Sequence, residues 1–154
     1  MIPRLYARVV APHLSLTIPG DPVGKGRPIF STRNGRVTAR TPGKTAAWER
    51  FAAAAFFMRR GGQTITGPCR LHVVAVGKRP KRLMGKDDPQ GRVWRTTKPD
   101  GDNVLKAVAD ALVLGEVIRD DVLLVEMTVL SVYAAKGEQA CVEVELTKEE
   151  GGAP

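Results

Sequence analysis

The segment that most constrains this chain reads Lys98-Pro-Asp-Gly-Asp-Asn-Val-Leu-Lys106-Ala-Val-Ala-Asp-Ala-Leu112 and, further on, Ile118-Arg-Asp-Asp121. Pro99 and Gly101 disfavour helix upstream of the second aspartate, and downstream of it apolar side chains recur at helical spacing. The pattern therefore predicts a helix over residues 102–112 that is entered from a loop. The apolar run after Asp121 predicts a long strand over residues 122–133.

The rest of the chain carries short strand signals and one more helix. Asn34-Gly35 lies between two β-prone runs and is a strong signal for a two-residue hairpin turn. Between residues 45 and 60 the large apolar side chains, Trp48 among them, share one helical face, and Gly61-Gly62 ends the pattern. We predict strands at residues 14–18, 29–32, 37–40, 71–76, 122–133 and 140–146, and helices at 45–60 and 102–112.

These elements predict the fold class. The chain has 154 residues, contains neither an internal repeat nor an interior linker, and is long enough for one proper core. We expect a single α/β (α+β) domain over residues 1–154, with a mixed or antiparallel sheet and two main helices. Residues 1–12 and 148–154 are expected to be flexible ends.

Charge narrows the class of partner. Lys and Arg number 24 against 16 Asp and Glu, which gives a net charge of +8. Such a surplus favours nucleic acid or an anionic membrane surface. No apolar run is long enough to span a bilayer and the first residues lack the apolar centre of a signal peptide, so a cytoplasmic protein without membrane contact is expected. Cys69 and Cys141 are isolated and are expected to be reduced, buried thiols.

Residues 78–97 form a basic loop that Gly and Pro interrupt. We expect it to be mobile and to contact phosphates, because clustered Lys and Arg with few acids is typical of DNA backbone contact. Gly24-Lys-Gly-Arg27 is a second, smaller basic loop. Trp94 either stacks on a distorted base or packs over its loop. The candidate DNA-binding residues are Lys25, Arg27, Arg79, Lys81, Arg82, Arg92, Arg95 and Lys98.

The two pairs of acids predict a metal site. Adjacent carboxylates repel one another unless a cation neutralises them, and Mg²⁺ prefers carboxylate oxygens. Asp100, Asp102 and Asp121 are the candidate metal ligands, with Asp120 as a further candidate. Asp121 is preferred over Asp120 because strand alternation places it on the same side as the apolar Leu123 and Val125. A carboxylate at the end of such a buried row needs a partner. The alternative is that the first pair only caps the helix.

An acidic cluster in a chain that is otherwise basic favours metal-dependent cleavage of phosphodiesters. Lys106 lies one helical turn from Asp102, where it either offsets charge in the transition state or forms a weak surface ion pair. A calcium-binding EF-hand loop that begins at Asp100 is excluded. Its fifth, sixth and twelfth positions need a polar ligand, Gly and Glu, and this sequence has Val104, Leu105 and Ala111 there. A nucleotide-binding loop ending at Thr45 is excluded because Thr38 replaces its first Gly.

The pattern Asp-x-Asp-Asn…Lys…Asp-Ala-Leu…Asp-Asp resembles the RusA family of Holliday-junction resolvases, which bacteria and their phages encode. The resemblance implies a homodimeric endodeoxyribonuclease that depends on Mg²⁺, with Mn²⁺ as a substitute, and acts on four-way junctions in DNA recombination and repair. It places the metal-binding acids on Asp100, Asp102 and Asp121 and an essential lysine on Lys106; these four are the expected catalytic residues. Two alternatives stay open: a non-catalytic junction- or single-strand-binding protein, and a ribonuclease.

Overall fold

The computed structural model describes residues 12–152. Seven strands and two helices follow one another along this part of the chain, and two short 3-10 turns, Lys81–Leu83 and Asp121–Leu123, join them. Most of the predicted flexible start, residues 1–11, lies outside the described residues. The elements are β1 (Leu14–Pro19), β2 (Ile29–Arg33), β3 (Arg36–Arg40), α1 (Gly43–Arg59), β4 (Cys69–Gly77), β5 (Val93–Trp94), α2 (Gly101–Leu114), β6 (Leu124–Tyr133) and β7 (Cys141–Lys148).

Five strands form one mixed sheet in the order β1-β7-β4-β6-β5, while β2 and β3 pair with each other as a separate hairpin. β4 and β6 are parallel, and the other pairs in the sheet are antiparallel. A parallel pair requires a crossover connection, and α2 lies on that crossover. The predicted fold class is confirmed, and the choice between a mixed and an antiparallel sheet is settled as mixed.

The core lies between the sheet and the two helices. Leu71, Val73 and Ala75 alternate along β4 and are buried, whereas His72 and Val74 on the other face are half-buried. Full burial of an apolar side chain of this size stabilises the fold by about 1.5–3 kcal/mol. The largest buried side chains include Phe56, Val104, Val108, Leu112, Val142 and Leu146. Trp48 is buried as predicted.

Most predicted boundaries differ from the observed ones by one or two residues, and two of these differences correct a prediction. β6 begins at Leu124, and the residues before it form the 3-10 turn Asp121–Leu123. Strand alternation therefore does not extend to Asp121, whose side chain is exposed. At the other end β7 continues to Lys148, and the Glu149 amide donates to Pro68 at 2.9 Å. The predicted flexible tail thus begins later, and its last residues, 153–154, lie outside the described part.

Both cysteines are free and buried, and burial raises the pKa of each thiol. Among residues 12–152, neither helix has the length and apolar character that crossing a membrane requires.

Candidate functional site

The start of α2 presents a carboxylate that does not serve as a helix cap. Asp100 occupies the N-cap position with extended backbone angles (φ −65°, ψ 143°), and its carbonyl accepts from the amides of Asn103 and Val104 at 3.1 Å. Its side chain accepts no capping hydrogen bond and is 51% exposed. The capping interpretation therefore does not account for this carboxylate, whose oxygens remain free for another ligand.

Close backbone packing fixes this helix start in place. A Cβ on Gly24 would lie 2.9 Å from the Cβ of Pro99 and 3.2 Å from that of Asn103. The next amide, that of Lys25, donates to the Asn103 carbonyl at 2.8 Å. Thr45 is buried at the start of α1, and its hydroxyl donates to the Gly24 carbonyl at 3.2 Å. The loop before β2 is thus held against both helices.

A cleft of about 650 Å³ opens between this loop and α2. Its charged lining combines the Asp100 carboxylate with four cations, Lys25, Arg27, Lys44 and Lys98. The ammonium of Lys98 lies 3.9 Å from the Asp100 carboxylate, and its side chain is 90% exposed. A surface of this composition attracts phosphate and places a carboxylate beside it.

Asp102, Lys106 and Asp110 form the predicted polar stripe along α2. The Asp102 carboxylate lies 3.5 Å from the Lys106 ammonium, and both side chains are about two-thirds exposed (68% and 65%). Asp110 pairs with a different lysine. The Lys25 ammonium lies 2.5 Å from the Asp110 carboxylate and 2.9 Å from the Glu49 carboxylate. Partial burial opposes the charge on Lys25, but its hydrogen bonds to Asp110 and Glu49 outweigh burial and raise its pKa.

A second cleft, of about 440 Å³, is lined by four carboxylates: Glu49, Asp110, Asp120 and Asp121. The Asp120 carboxylate accepts from the Val122 amide at 3.0 Å, and this bond, followed by one from Asp121, lowers its pKa. The pKa of Asp121 is raised by its hydrogen bond with Asp120, then by partial burial and by the charges of Asp120 and Asp110. Of the two adjacent carboxyls, Asp120 therefore ionises more readily and Asp121 holds its proton to higher pH.

Of the predicted metal ligands, Asp100 lines the first cleft, Asp121 lines the second, and Asp102 lines neither. Asp121 lies with Asp110, which helix geometry separates from Asp102 by about 12 Å along α2. Within the described residues, no three His, Cys, Asp or Glu side chains are grouped closely enough to hold a metal. Mg²⁺ is commonly held by only one or two carboxylates plus substrate phosphate, so the free oxygens of Asp100 and Asp102 suit it chemically. Ligation by the three acids stays a prediction.

Sequence reasoning did not identify Glu49 as part of an acidic cleft. It lies on α1, is 8% exposed, and meets Asp110 of α2 only through the packing of the two helices. One signal was available, because Glu49 directly follows the core residue Trp48 on a mainly apolar helix.

Four of the eight candidate DNA-binding residues have other roles in this structure. The buried guanidinium of Arg79 donates to the carbonyls of Leu83, Gly91 and Pro89 at 2.7 Å and of Ala134 at 3.3 Å. Lys25 is engaged by Asp110 and Glu49, Arg92 by Glu138 and Glu143, and Arg95 by the Lys98 carbonyl. The other four candidates, Arg27, Lys81, Arg82 and Lys98, are exposed.

The basic loop is therefore anchored rather than mobile. Besides the four contacts of Arg79, the ammonium of Lys136 donates to the carbonyls of Gly85 and Asp88 at 2.7 Å. Trp94 in β5 is 73% exposed, so packing over the loop does not account for it. These contacts hold Lys81 and Arg82, which lie on the 3-10 turn, in a defined position on the surface.

Arg79→Ala should destabilise the protein by about 2–4 kcal/mol, because three carbonyls inside the loop and that of Ala134 would lose a charged donor. Urea denaturation measures this loss, and limited proteolysis should cut the loop of the variant faster. Arg82→Ala, at a neighbouring exposed position, is the matched control and should change stability by less than about 0.5 kcal/mol. Equal urea midpoints for Arg79→Ala and the unmodified protein would contradict the anchoring role.

Comparison with known proteins agrees with the resemblance. The family model described as endodeoxyribonuclease RusA matches residues 19–147. YqaN of Bacillus subtilis (strain 168), described as an uncharacterized protein, is 34% identical over 136 residues, which cover 85% of this chain and 93% of YqaN. The region matched by the family model contains both pairs of acids, Lys106 and the β2–β3 hairpin.

Proposed function

We propose that this protein, which belongs to the RusA family of endodeoxyribonucleases, is a Mg²⁺-dependent endonuclease that resolves four-way DNA junctions by symmetric cleavage. The observation that carries the proposal is the Asp100 carboxylate. It stands at a helix start without capping that helix, and it lines a cleft whose other charged side chains are all cations. A phosphate attracted to this cleft would meet a carboxylate positioned to share a metal ion with it.

Asp100 and Asp102 would hold the ion, with Asp121 as the third ligand and Asp120 as a further candidate. When bound, Mg²⁺ lowers the pKa of an attacking water and polarises the scissile phosphate. Arg27, Lys44 and Lys98 would hold phosphate oxygens in the cleft. Lys106, whose ammonium lies 3.5 Å from the Asp102 carboxylate, would supply a positive charge to offset the negative charge that develops on the phosphate.

The raised pKa of Asp121 bears on this assignment. A protonated Asp121 must lose its proton to act as a fully charged ligand, and the raised pKa means that it holds the proton more tightly than an ordinary aspartate does. A divalent cation near Asp121 would favour the deprotonated form and release the proton. Metal binding should therefore strengthen as the pH rises through the pKa of Asp121.

A non-catalytic DNA-binding protein is the second candidate, favoured by the exposed cations Lys81, Arg82 and Lys98. In that case the acids at the start of α2 would have only a structural role. The free Asp100 side chain weighs against it, because a purely structural aspartate at an N-cap normally accepts an amide hydrogen bond.

Cleavage of a synthetic four-way junction separates the candidates. With Mg²⁺ or Mn²⁺ we expect paired nicks at symmetric positions in two opposing strands, and with EDTA we expect binding without cleavage. A linear duplex with the sequence of two joined arms is the control and should stay intact. Junction binding without cleavage in either metal would favour the binding protein, and preferential cutting of an RNA version would favour a ribonuclease.

A further inference from the structure

The β2–β3 hairpin is a separate two-stranded ribbon with two chemically different faces. All residues of both strands are exposed, and Asn34 and Gly35 form the turn with positive φ values of 50° and 72°. The strand register places Ser31, Arg33, Arg36, Thr38 and Arg40 on one face with Ile29 at its base. Phe30, Thr32, Val37 and Ala39 lie on the other face.

Within the part of the chain that the structure describes, the arginines of the basic face have no acidic partner. Arg33 and Arg36 are directly opposite each other across the strands, which is unfavourable for like charges. The ion pairs found among residues 12–152 involve neither of them, nor Arg40. The sequence has no Asp or Glu between Asp21 and Glu49. The hairpin therefore carries uncompensated positive charge that an external anion would neutralise.

The hairpin begins and ends at the cleft that contains Asp100. Arg27, just before β2, and Pro42 and Lys44, just after β3, all line that cleft. Five residues per strand give the ribbon a length of about 17 Å. Its arginines extend over about 14 Å, which is roughly four base-pair rises of duplex DNA. A two-stranded ribbon is also narrow enough for the major groove.

We propose that the β2–β3 hairpin is a DNA-binding arm whose basic face, Arg33, Arg36 and Arg40, lies on the phosphates of one duplex arm beside the cleavage site. This inference rests on the proposed function for the identity of the substrate. The arm binds the duplex next to the scissile phosphate and so fixes the direction in which that strand enters the cleft.

Salt-dependent binding without divalent metal tests the arm separately from cleavage. The triple variant Arg33→Ala, Arg36→Ala, Arg40→Ala should lower the slope of log K against log salt by roughly 2.7 on a junction and on a plain duplex, at about 0.9 per lost phosphate contact. The matching triple Lys variant keeps the charges and should retain most of the slope. A control triple at exposed cations outside the hairpin and both clefts, Arg50→Ala, Arg59→Ala, Lys148→Ala, should leave it nearly unchanged.

Three other outcomes would contradict the proposal that the β2–β3 hairpin is a DNA-binding arm. An unchanged slope in the Arg33, Arg36, Arg40 alanine variant would show that the hairpin does not lie on DNA. An equal loss in the control triple would show that net charge matters rather than this surface. A lower mass in sedimentation for the Arg33, Arg36, Arg40 alanine variant than for the unmodified protein would identify the hairpin as a contact between two copies of the chain. Because the assay contains EDTA, failure of the proposed cleavage activity would leave the binding result standing.

Discussion

Asp102→Asn should slow junction cleavage by at least about 100-fold while leaving junction binding intact or slightly tighter. The amide keeps the size of the side chain but loses the charge that favours a divalent cation. Even the loss of a residue that only hydrogen-bonds to a metal ligand commonly lowers metal affinity or activity 10–100-fold. Removing a negative charge near the phosphate also favours DNA binding. Asp102 pairs with Lys106 on an exposed helix face, so stability should change by less than about 1 kcal/mol.

Single-turnover cleavage at saturating protein, together with binding in EDTA, separates the two effects. Asp87→Asn is the matched control, since Asp87 is an exposed acid on the basic loop and lines neither cleft, and it should cut at the normal rate. Asp110→Asn distinguishes the two clefts. If Asp110→Asn lost cleavage while Asp102→Asn kept it, the metal site would be in the second cleft rather than at the start of α2. Full cleavage by Asp102→Asn would refute the assignment of Asp102.

The features predicted well from sequence are those that local interactions determine. The hairpin follows from Asn34-Gly35, which supplies the positive φ values that the turn needs. Helix α2 follows from Pro99 and from its apolar spacing, and the observed helix extends the predicted one by one residue at its start and two at its end.

The features missed depend on contacts between distant parts of the chain. Arg79 resembles any other cation of a basic loop, and its role becomes visible only when four carbonyls from the loop and from Ala134 surround it. Glu49 and Asp110 meet because α1 and α2 pack together, and no sequence period encodes that contact. The apolar residues after Asp121 predict a strand from residue 122 with Asp121 in line with its buried row, but residues 121–123 form a 3-10 turn.

A two-fold assembly follows as a proposal from the symmetry of the substrate. A four-way junction must be nicked in two opposing strands, whereas one chain supplies one Asp100–Asp102 pair. A two-fold dimer would place two such pairs at equivalent positions. The first part of β6 offers a contact surface. Within residues 12–152, β5 pairs with Val132 and Tyr133, the Arg95 amide donates to the Ser131 carbonyl, and no strand pairs with this edge of β6 before Ser131. Val125 and Met127, in that open stretch, are 62% and 49% exposed.

Wild-type protein should therefore convert a supercoiled plasmid carrying a cruciform mainly into linear product, because both cuts occur within one encounter. Mixing it with excess Asp102→Asn should form heterodimers with one competent site, so nicked circles should accumulate as the variant fraction rises. Gel analysis of the three plasmid forms measures this, and adding excess Asp87→Asn instead is the control that should still give linear product. Sedimentation of the free protein should give about twice the chain mass at micromolar concentration. A persistent monomer on junction DNA, with nicks accumulating independently in wild-type reactions, would contradict paired cleavage by a dimer.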